Sequence, residues 1–485
     1  MALYIDSTLI NNQSVIPADV INYVVKRHQN EQQQRLQMLE TYYKTKNEVQ
    51  LNQTDHVVTV RAGYPHYIVS SILGFYLGDP VKYENKTDEA LSNGIEAYEK
   101  NGQIVKHKTW AVQPDIRPIL DEYDEQSITD IDNEIGRDLG EFGEAYELIY
   151  SNSDSSPRST VCNPVNSVMV RDNSVEHHKL FFIQYTLETN VNNEKYYIAY
   201  VYTSTTSSIY KSDASGTLDF SLIEGSVQQH LFGEVPVVEY QNGADRIADF
   251  ETSLSLIDAY NVIMSDRVTD KEKFIDAILC VFGAELDEND IDKLRDHRML
   301  NLPLDAKVEY AQKVLNESDL HILASDLIAE IHKQSMTVDM SDSAFGTASG
   351  QALKLKLLSL LMLVKTKIRS FSRGLKKRFE IYNRFLNIKN NIVLMDKRDL
   401  EPVFTINIPI DETAIVNMVK NLQGIVDRKT LLQQLWFVRD PEAVLKKVEE
   451  EEQSNNKKFI DTFGINTDTQ DKDFNDEKIE KDERE

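Results

Sequence analysis

The sequence contains very little cysteine and no long hydrophobic run, and each absence argues against a class of protein. The two cysteines, Cys162 and Cys280, are far apart and lack the spacing of a metal site. This fits a reducing compartment without a disulfide framework. The longest apolar run, residues 357–364, is eight residues long including Ser359, which is too short to span a bilayer. The first residues have neither a basic n-region nor an apolar h-region, so we expect no signal peptide and no membrane contact.

Motifs that carry catalytic or metal chemistry are also missing from the sequence. No G-x-x-x-x-G-K-[ST] phosphate loop occurs, and in G-T-A-S-G (residues 346–350) the serine is one place too late for a nucleophile elbow. The acidic stretch at 130–135 has Ile135 where a calcium loop needs glycine. Glu176-His177-His178 lacks the spacing of a zinc motif, so surface polarity is the favoured interpretation. We therefore expect no enzyme activity, no cofactor and no metal.

Positive charge is scarce overall but concentrated in one segment. The chain has 79 acidic against 53 basic residues and a net charge of −26, so its whole surface does not bind DNA nonspecifically. Residues 351–389, however, contain eleven Lys or Arg and one acid, Glu380. Four of these bases step by four and share one helix face: Lys365, Arg369, Arg373 and Lys377. The favoured alternative to a DNA contact is that this face pairs with acidic neighbours in the same assembly.

Residues 341–350, which precede this basic helix, are small and polar apart from Phe345. Gly346 and Gly350 allow backbone angles that other residues avoid, which predicts an exposed, mobile loop. Ser349 can cap the helix that follows. Apolar residues between positions 353 and 364 cover every side of that helix, which predicts burial all round. Gly374 predicts a bend.

The remaining chain alternates between helical and strand patterns, which predicts an α+β fold. Helices are expected at 17–46, 64–77, 249–266, 316–333, 412–423 and 440–452, and short strands fill residues 151–240. Further strands are expected at 274–283, 307–314 and 403–410. The 316–333 helix carries leucines on one face and Asp319, Asp326 and Glu330 near the other. The acidic end, from residue 455, is expected to be disordered.

Five segments together resemble the portal, or head-to-tail connector, proteins of tailed bacteriophages, in particular those of siphophages of Gram-positive hosts. Each segment alone is a weak signal, but their order matches the family over residues 18–450. Residues 186–230 and the tail after 453 carry no matching pattern, and 274–315 matches only in its first strand. The segments are Y-I-V-S-S-I-L-G-F-Y-L-G-D-P-V, E-F-G-E-A-Y-E-L-I-Y, F-G-E-V-P-V-V-E-Y with S-L-I-D-A-Y, D-S-A-F-G-T-A-S-G-Q-A-L-K-L-K-L-L-S-L, and L-Q-G-I-V-D-R-K-T-L-L-Q-Q-L.

The resemblance implies a mixed portal fold with an α/β wing, a two-helix stem, a small α/β clip, a long bent helix and a helical crown. The implied division is 1–248 wing, 249–273 first stem helix, 274–315 clip, 316–340 second stem helix, 341–350 tunnel loop, 351–388 long helix, 389–410 strand returning to the wing, 411–452 crown and 453–485 acidic tail. The tunnel loop comprises Ser341, Asp342, Ser343, Ala344, Phe345, Gly346, Thr347, Ala348, Ser349 and Gly350.

The function implied by the resemblance is a ring of twelve subunits at one capsid vertex, through which double-stranded DNA enters and leaves. Asp319, Asp326 and Glu330 would line the channel and repel phosphates. Phe345 would touch the duplex or pack against the neighbouring loop, and both alternatives stay open. The implied partners are the terminase large subunit, major capsid and scaffolding proteins, and a head-completion adaptor, in the virion and, during assembly, in the host cytoplasm. The alternatives are a virion adaptor or scaffold without DNA contact and a nucleic-acid enzyme with acidic metal ligands.

Overall fold

The computed structural model divides the chain into two units, residues Met1–Asn407 and Ile408–Glu485. Each unit is described by itself. The structure describes residues 3–10, 14–51, 58–85, 97–100, 103–106, 116–214, 218–275, 278–283, 306–311, 317–339, 355–390, 400–406, 412–433, 435, 438 and 444–451.

The principal helices follow the sequence predictions closely. A short π-helical segment, Gln29–Gln33, connects the first two α-helices. The helices are α1 (Ala18–His28), α2 (Gln34–Tyr43), α3 (Tyr64–Tyr76), α4 (Arg117–Glu125), α5 (Ile128–Phe142), α6 (Leu254–Ile275), α7 (Glu317–Gln334), α8 (Leu358–Asn390), α9 (Glu412–Leu422) and α10 (Arg428–Gln433).

Sixteen strands complete the described elements. They are β1 (Leu3–Ile5), β2 (Lys82–Asn85), β3 (Ala97–Lys100), β4 (Gln103–Lys106), β5 (Glu144–Ser151), β6 (Pro157–Cys162), β7 (Ser167–Asp172), β8 (Lys179–Thr189), β9 (Lys195–Tyr202), β10 (Thr206–Asp213), β11 (Ser221–Leu222), β12 (Gln228–Gln229), β13 (Val237–Gln241), β14 (Ile278–Phe282), β15 (Lys307–Ala311) and β16 (Leu400–Val403).

The largest sheet has the order β1-β7-β8-β9-β10-β11, with β12 also paired to β10. The side chains of its strand β7 point alternately into two buried cores. Val168 and Val170 pack into a core with Val20, Ile21 and other apolar residues of α1. Met169, between them, packs into a second core with residues of β5, β6 and β13. The period-2 alternation of the strand therefore places the sheet between a helix and a second sheet.

The second sheet has the order β13-β5-β6, and the long helix α8 packs against β13. At this contact a Cβ on Gly374 would overlap the Tyr240 ring. The helix runs without interruption through Gly374. Gly374 therefore permits a close approach between helix and sheet, and the bend predicted at this position stays a prediction.

Two smaller strand pairs connect distant parts of the first unit. Strand β16 pairs antiparallel with β2, with Leu400 opposite Asn85. Strands β14 and β15 form an antiparallel pair, with Cys280 opposite Glu309. Helices α6 and α7, which flank that pair in sequence, are in contact with each other. Mixed helices and sheets in one compact unit confirm the predicted α+β class.

The structure corrects three of the expected elements. The apolar segment before Val364 is buried on one face only, since Leu355 is 73% exposed, Leu358 44% and Met362 60%. The strand found in this region is β16, which pairs with β2 over Leu400–Val403; of the strand expected at 403–410, residues 404–406 are not in a strand, and 407–410 lie outside the described residues. The strand expected from residue 274 begins at Ile278, because α6 continues to Ile275.

The second unit contains α9, α10 and a helical stretch over residues 444–451. Gly424, with φ +89°, lies in the turn between α9 and α10, where a left-handed angle favours glycine. Asp427 then caps α10 by accepting from the Thr430 amide at 2.9 Å and the Thr430 hydroxyl at 2.7 Å. The two helices expected in this region, at 412–423 and 440–452, are confirmed within the described residues.

Candidate functional site

Helix α7 carries the predicted acidic face. Ala324 and Ile331 are buried, whereas Asp319 and Asp326 are exposed. Glu330 is half-buried and forms an i,i+3 ion pair with Lys333 at 2.9 Å. Spacings of seven and four residues place the three carboxylates on one side of the helix. The structure therefore presents a negatively charged helix face on the surface of the subunit.

The predicted basic face of α8 divides into two parts. Lys365, Arg369 and Arg373 are exposed and form no ion pair with the described residues. Lys377 lies 2.5 Å from a carboxylate oxygen of Glu234 and 3.2 Å from one of Glu380. Among the described residues, pairing with acidic neighbours thus holds for Lys377 but not for Lys365, Arg369 and Arg373, whose charges can meet an outside partner.

Two further bases of the same helix are fully buried, which helical spacing did not indicate. Lys367 reaches Asp249 at 2.6 Å, with both side chains 3% exposed. Arg378 is 0% exposed and reaches Asp132 and Glu147, each at 2.6 Å. Buried charges of this kind require partners, because a lone ion in a dry interior is strongly disfavoured. The Arg378 pairs tie α8 to α5 and β5, and the Lys367 pair ties it to Asp249 in the segment before α6.

Hydroxyl groups complete the surroundings of Glu147. Tyr240 donates to its Oε2 at 2.7 Å, and Ser159 donates to its Oε1 at 2.5 Å. Burial raises the pKa of Asp132 to about 6, although Arg378 opposes the shift. The sequence signal that could have revealed this cluster is a glutamate inside the apolar strand E-A-Y-E-L-I-Y, where every residue from 144 to 149 is buried.

A second ion cluster joins the two sheets. Arg246 lies 2.6 Å from Glu144 and 2.7 Å from Glu239, and Arg171 also pairs with Glu239. Burial would raise the pKa of Glu239, but Arg246 and Arg171 outweigh it and lower that pKa. This cluster rigidifies the scaffold from which the exposed faces of α7 and α8 project.

The predicted tunnel loop, residues 341–350, lies outside the described residues, as does the acidic tail after residue 453. The Glu176-His177-His178 stretch is surface-exposed, and His178 contacts Glu176 at 2.7 Å and Asp172 at 3.2 Å. Within the described part of the chain, no group of three or more His, Cys, Asp or Glu could hold a metal ion. Among the same residues, no helix is both long and apolar enough to cross a membrane.

Comparison with known proteins identifies the family. A family model described as phage portal protein, SPP1 Gp6-like, matches residues 23–458. The portal protein of Bacillus phage SPP1 is 22% identical over 396 residues, covering 78% of each chain. The portal protein of Clostridium phage phiCD119 is 24% identical over 250 residues, covering 50% of this chain and 54% of that protein. The chain therefore belongs to the SPP1 Gp6-like family of phage portal proteins, which are structural, non-enzymatic, ring-forming components of the phage capsid.

Proposed function

We propose that this portal protein encloses a central channel at one capsid vertex, through which a terminase motor packages double-stranded DNA and from which the genome is later ejected. The observation that carries the proposal is the exposed acidic face of α7 formed by Asp319, Asp326 and Glu330. A wall of carboxylates repels the phosphates of a passing duplex and keeps binding weak. A conduit needs that property, because tight binding would stop translocation.

The division of the subunit into functional parts is also proposed. The contact between α6 and α7 supports their assignment as the two stem helices at 249–273 and 316–340. The pair β14–β15 between them supports a clip over 274–315, and the pairing of β16 with β2 supports a return of 389–410 to the wing. The wing is 1–248, the long helix 351–388, the crown 411–452 and the tail 453–485.

The loop at 341–350 is proposed to face the channel and to change shape as the helical duplex passes. Its two glycines, Gly346 and Gly350, and its small side chains support this role. Proline or valine at these positions should restrict the loop, so that rings still form but less DNA becomes DNase-protected in a packaging reaction. Full packaging by well-formed mutant rings would contradict the moving loop, and loss of rings would make it an assembly element.

The partners follow from the same proposal. The terminase large subunit docks at the clip and supplies the ATPase, which agrees with the missing phosphate loop in this sequence. Major capsid and scaffolding proteins surround the ring of twelve subunits during assembly in the host cytoplasm. A head-completion adaptor attaches after packaging.

Neutralising the acidic face tests the proposal. Rings carrying Asp319→Asn, Asp326→Asn and Glu330→Gln should bind duplex DNA at least about tenfold more tightly at low salt and lose that gain at high salt. The matched control neutralises three exposed acids of the large sheet, Glu194→Gln, Asp213→Asn and Glu224→Gln. Equal DNA binding by both triple variants would place α7 away from the channel. Normal rings that never pass DNA would favour the alternative, a virion adaptor without DNA contact.

A further inference from the structure

A cavity of about 470 Å³ lies between β13, the adjacent ends of β7 and β8, and the long helix α8. Two acids face it, Glu239 and Glu380. Five bases also face it, which is unexpected in a chain of net charge −26: Arg171, Lys179, Arg373, Lys376 and Lys377.

The two acids are already occupied by bases at the rim. Glu239 pairs with Arg171 and, at 2.7 Å, with Arg246. Glu380 lies 3.2 Å from Lys377 and 3.4 Å from Arg384. The internal ion pairs therefore leave the cavity with an excess of positive charge.

Lys179, Arg373 and Lys376 supply that excess. Lys179 donates to the Val237 carbonyl oxygen at 2.9 Å, which uses one of its three N–H groups. Arg373 and Lys376 form no ion pair with the described residues. Burial lowers the pKa of Lys179 to about 8, while Glu239 opposes the shift and Arg171 and Lys377 add to it. Positive charges held close together in a partly dry space repel one another, and a bound anion offsets that repulsion.

The chemistry of these donors fits an oxyanion. Arginine presents paired N–H groups that match a carboxylate or phosphate, and two lysine ammonium groups can add charge-assisted hydrogen bonds. A duplex is far too wide for a cavity of this size, whereas a single side chain fits. In a ring of identical subunits each copy needs two different, complementary surfaces. A neighbouring copy, with 79 acids and a net charge of −26, complements this cavity in charge and offers carboxylates in excess.

We propose that this cavity binds an oxyanion, supplied in the ring by an aspartate or glutamate side chain of the neighbouring copy. The identity of the supplier rests on the proposed ring, whereas the oxyanion chemistry does not. The bases of α8 would then act in assembly, and the acids of α7 would act on DNA.

The first arm of the test uses inorganic phosphate on full-length protein in its unassembled fraction. Compared with chloride at equal ionic strength, phosphate should raise Tm in proportion to the logarithm of its concentration above Kd, by about 1–2 °C at tenfold excess over its Kd. Arg373→Gln with Lys376→Gln should abolish this rise. A matched control, Lys46→Gln with Lys195→Gln, removes two exposed lysines elsewhere and should preserve it. No phosphate effect on the wild type would overturn the site.

The second arm measures the ring–subunit equilibrium by sedimentation velocity. The Arg373→Gln/Lys376→Gln variant should need about tenfold more protein to form rings, and phosphate should compete with assembly of the wild type but not of the variant. If phosphate binds but neither phosphate nor the mutations change the ring–subunit equilibrium, the oxyanion is not supplied by the neighbouring copy. If rings persist but lose DNA affinity, a DNA phosphate is the ligand and the proposal is overturned. If the wild type forms no rings, the proposed function fails while the first arm still decides the chemistry.

Discussion

The Nε atom of Arg378 lies 2.6 Å from Oε1 of Glu147, and neither side chain reaches solvent. A second carboxylate, Asp132, lies 2.6 Å from the same guanidinium. One side chain of the long helix thus pairs with carboxylates from both α5 and β5. Together with the Lys367–Asp249 pair, this contact positions α8.

Replacing Arg378 with methionine should lower the free energy of unfolding by about 3–5 kcal/mol, because two buried carboxylates lose their partner. Urea unfolding of the unassembled protein, followed by circular dichroism, measures the loss. Arg369→Met, an exposed arginine of the same helix, is the control and should stay within about 0.5 kcal/mol of wild type. Similar losses in both variants would show that the buried cluster carries no special stability.

Two helical glycines should respond in opposite directions to alanine. Gly374→Ala places a methyl group against the Tyr240 ring and should cost about 1–2 kcal/mol after the gain in helix propensity. Gly74→Ala meets no atom within 4 Å and should stabilise by about 0.5–1 kcal/mol. The same urea unfolding distinguishes them. A stabilising Gly374→Ala would contradict the close packing of helix on sheet.

Glu141 should make stability depend on pH. Burial raises the pKa of its carboxyl to about 8, Asp138 and Glu40 raise it further, and Arg137 and Lys44 oppose the shift. The unfolded carboxyl loses its proton near its ordinary value of 4.5, so the folded state alone holds the proton between pH 4.5 and about 8. Stability contributed by the neutral carboxyl is therefore complete below pH 4.5 and lost as pH rises through 8.

Glu141→Gln should remove this dependence. At pH 5 the variant and the wild type should be similar, and at pH 9 the variant should be more stable by about 1–2 kcal/mol, a value reduced for partial solvent screening. Thermal unfolding at both pH values measures the difference. Glu134→Gln, an exposed acid of the same helix, should leave the pH slope unchanged. A wild-type slope in Glu141→Gln would assign the pH dependence to other groups, such as Asp138.

The exposed stripe of Leu355, Leu358 and Met362 should be an assembly surface. Leu358→Asp should leave the subunit folded, because Leu358 is half-exposed in the isolated chain, but it should deplete rings because a neighbour would bury the charge. Leu360→Asp, two residues away and buried, should unfold the subunit instead. Sedimentation and circular dichroism report both properties. Normal rings from Leu358→Asp would place the interface elsewhere.

Much of the fold could be predicted from the sequence because local signals agree with the tertiary structure. Pro65 and Gly78 bracket α3, and Gly143, with φ +81°, lies between the end of α5 and the start of β5. The alternating apolar residues of 151–240 identify strands such as β9 and β10, because one face of these strands is buried and the other is more exposed. These elements are specified by residues within one turn or one strand of each other.

Which charged side chains are paired, buried or exposed could not be predicted from the sequence in the same way. Helical spacing groups Lys365, Arg369, Arg373 and Lys377, but only tertiary packing shows that Lys377 meets Glu234, which is far away in sequence. The same packing buries Arg378 fully, although its neighbours Lys376 and Lys377 are only half-buried. The burial of Leu358 likewise depends on which surface covers it, and sequence periodicity carries no information about a neighbouring copy.

Negative-stain electron microscopy of the purified 485-residue protein shows whether it forms a ring around a channel. We expect closed rings with a central hole, built from about twelve copies arranged with one rotational symmetry. A compact monomer without a hole, at concentrations where sedimentation shows no larger species, would contradict it.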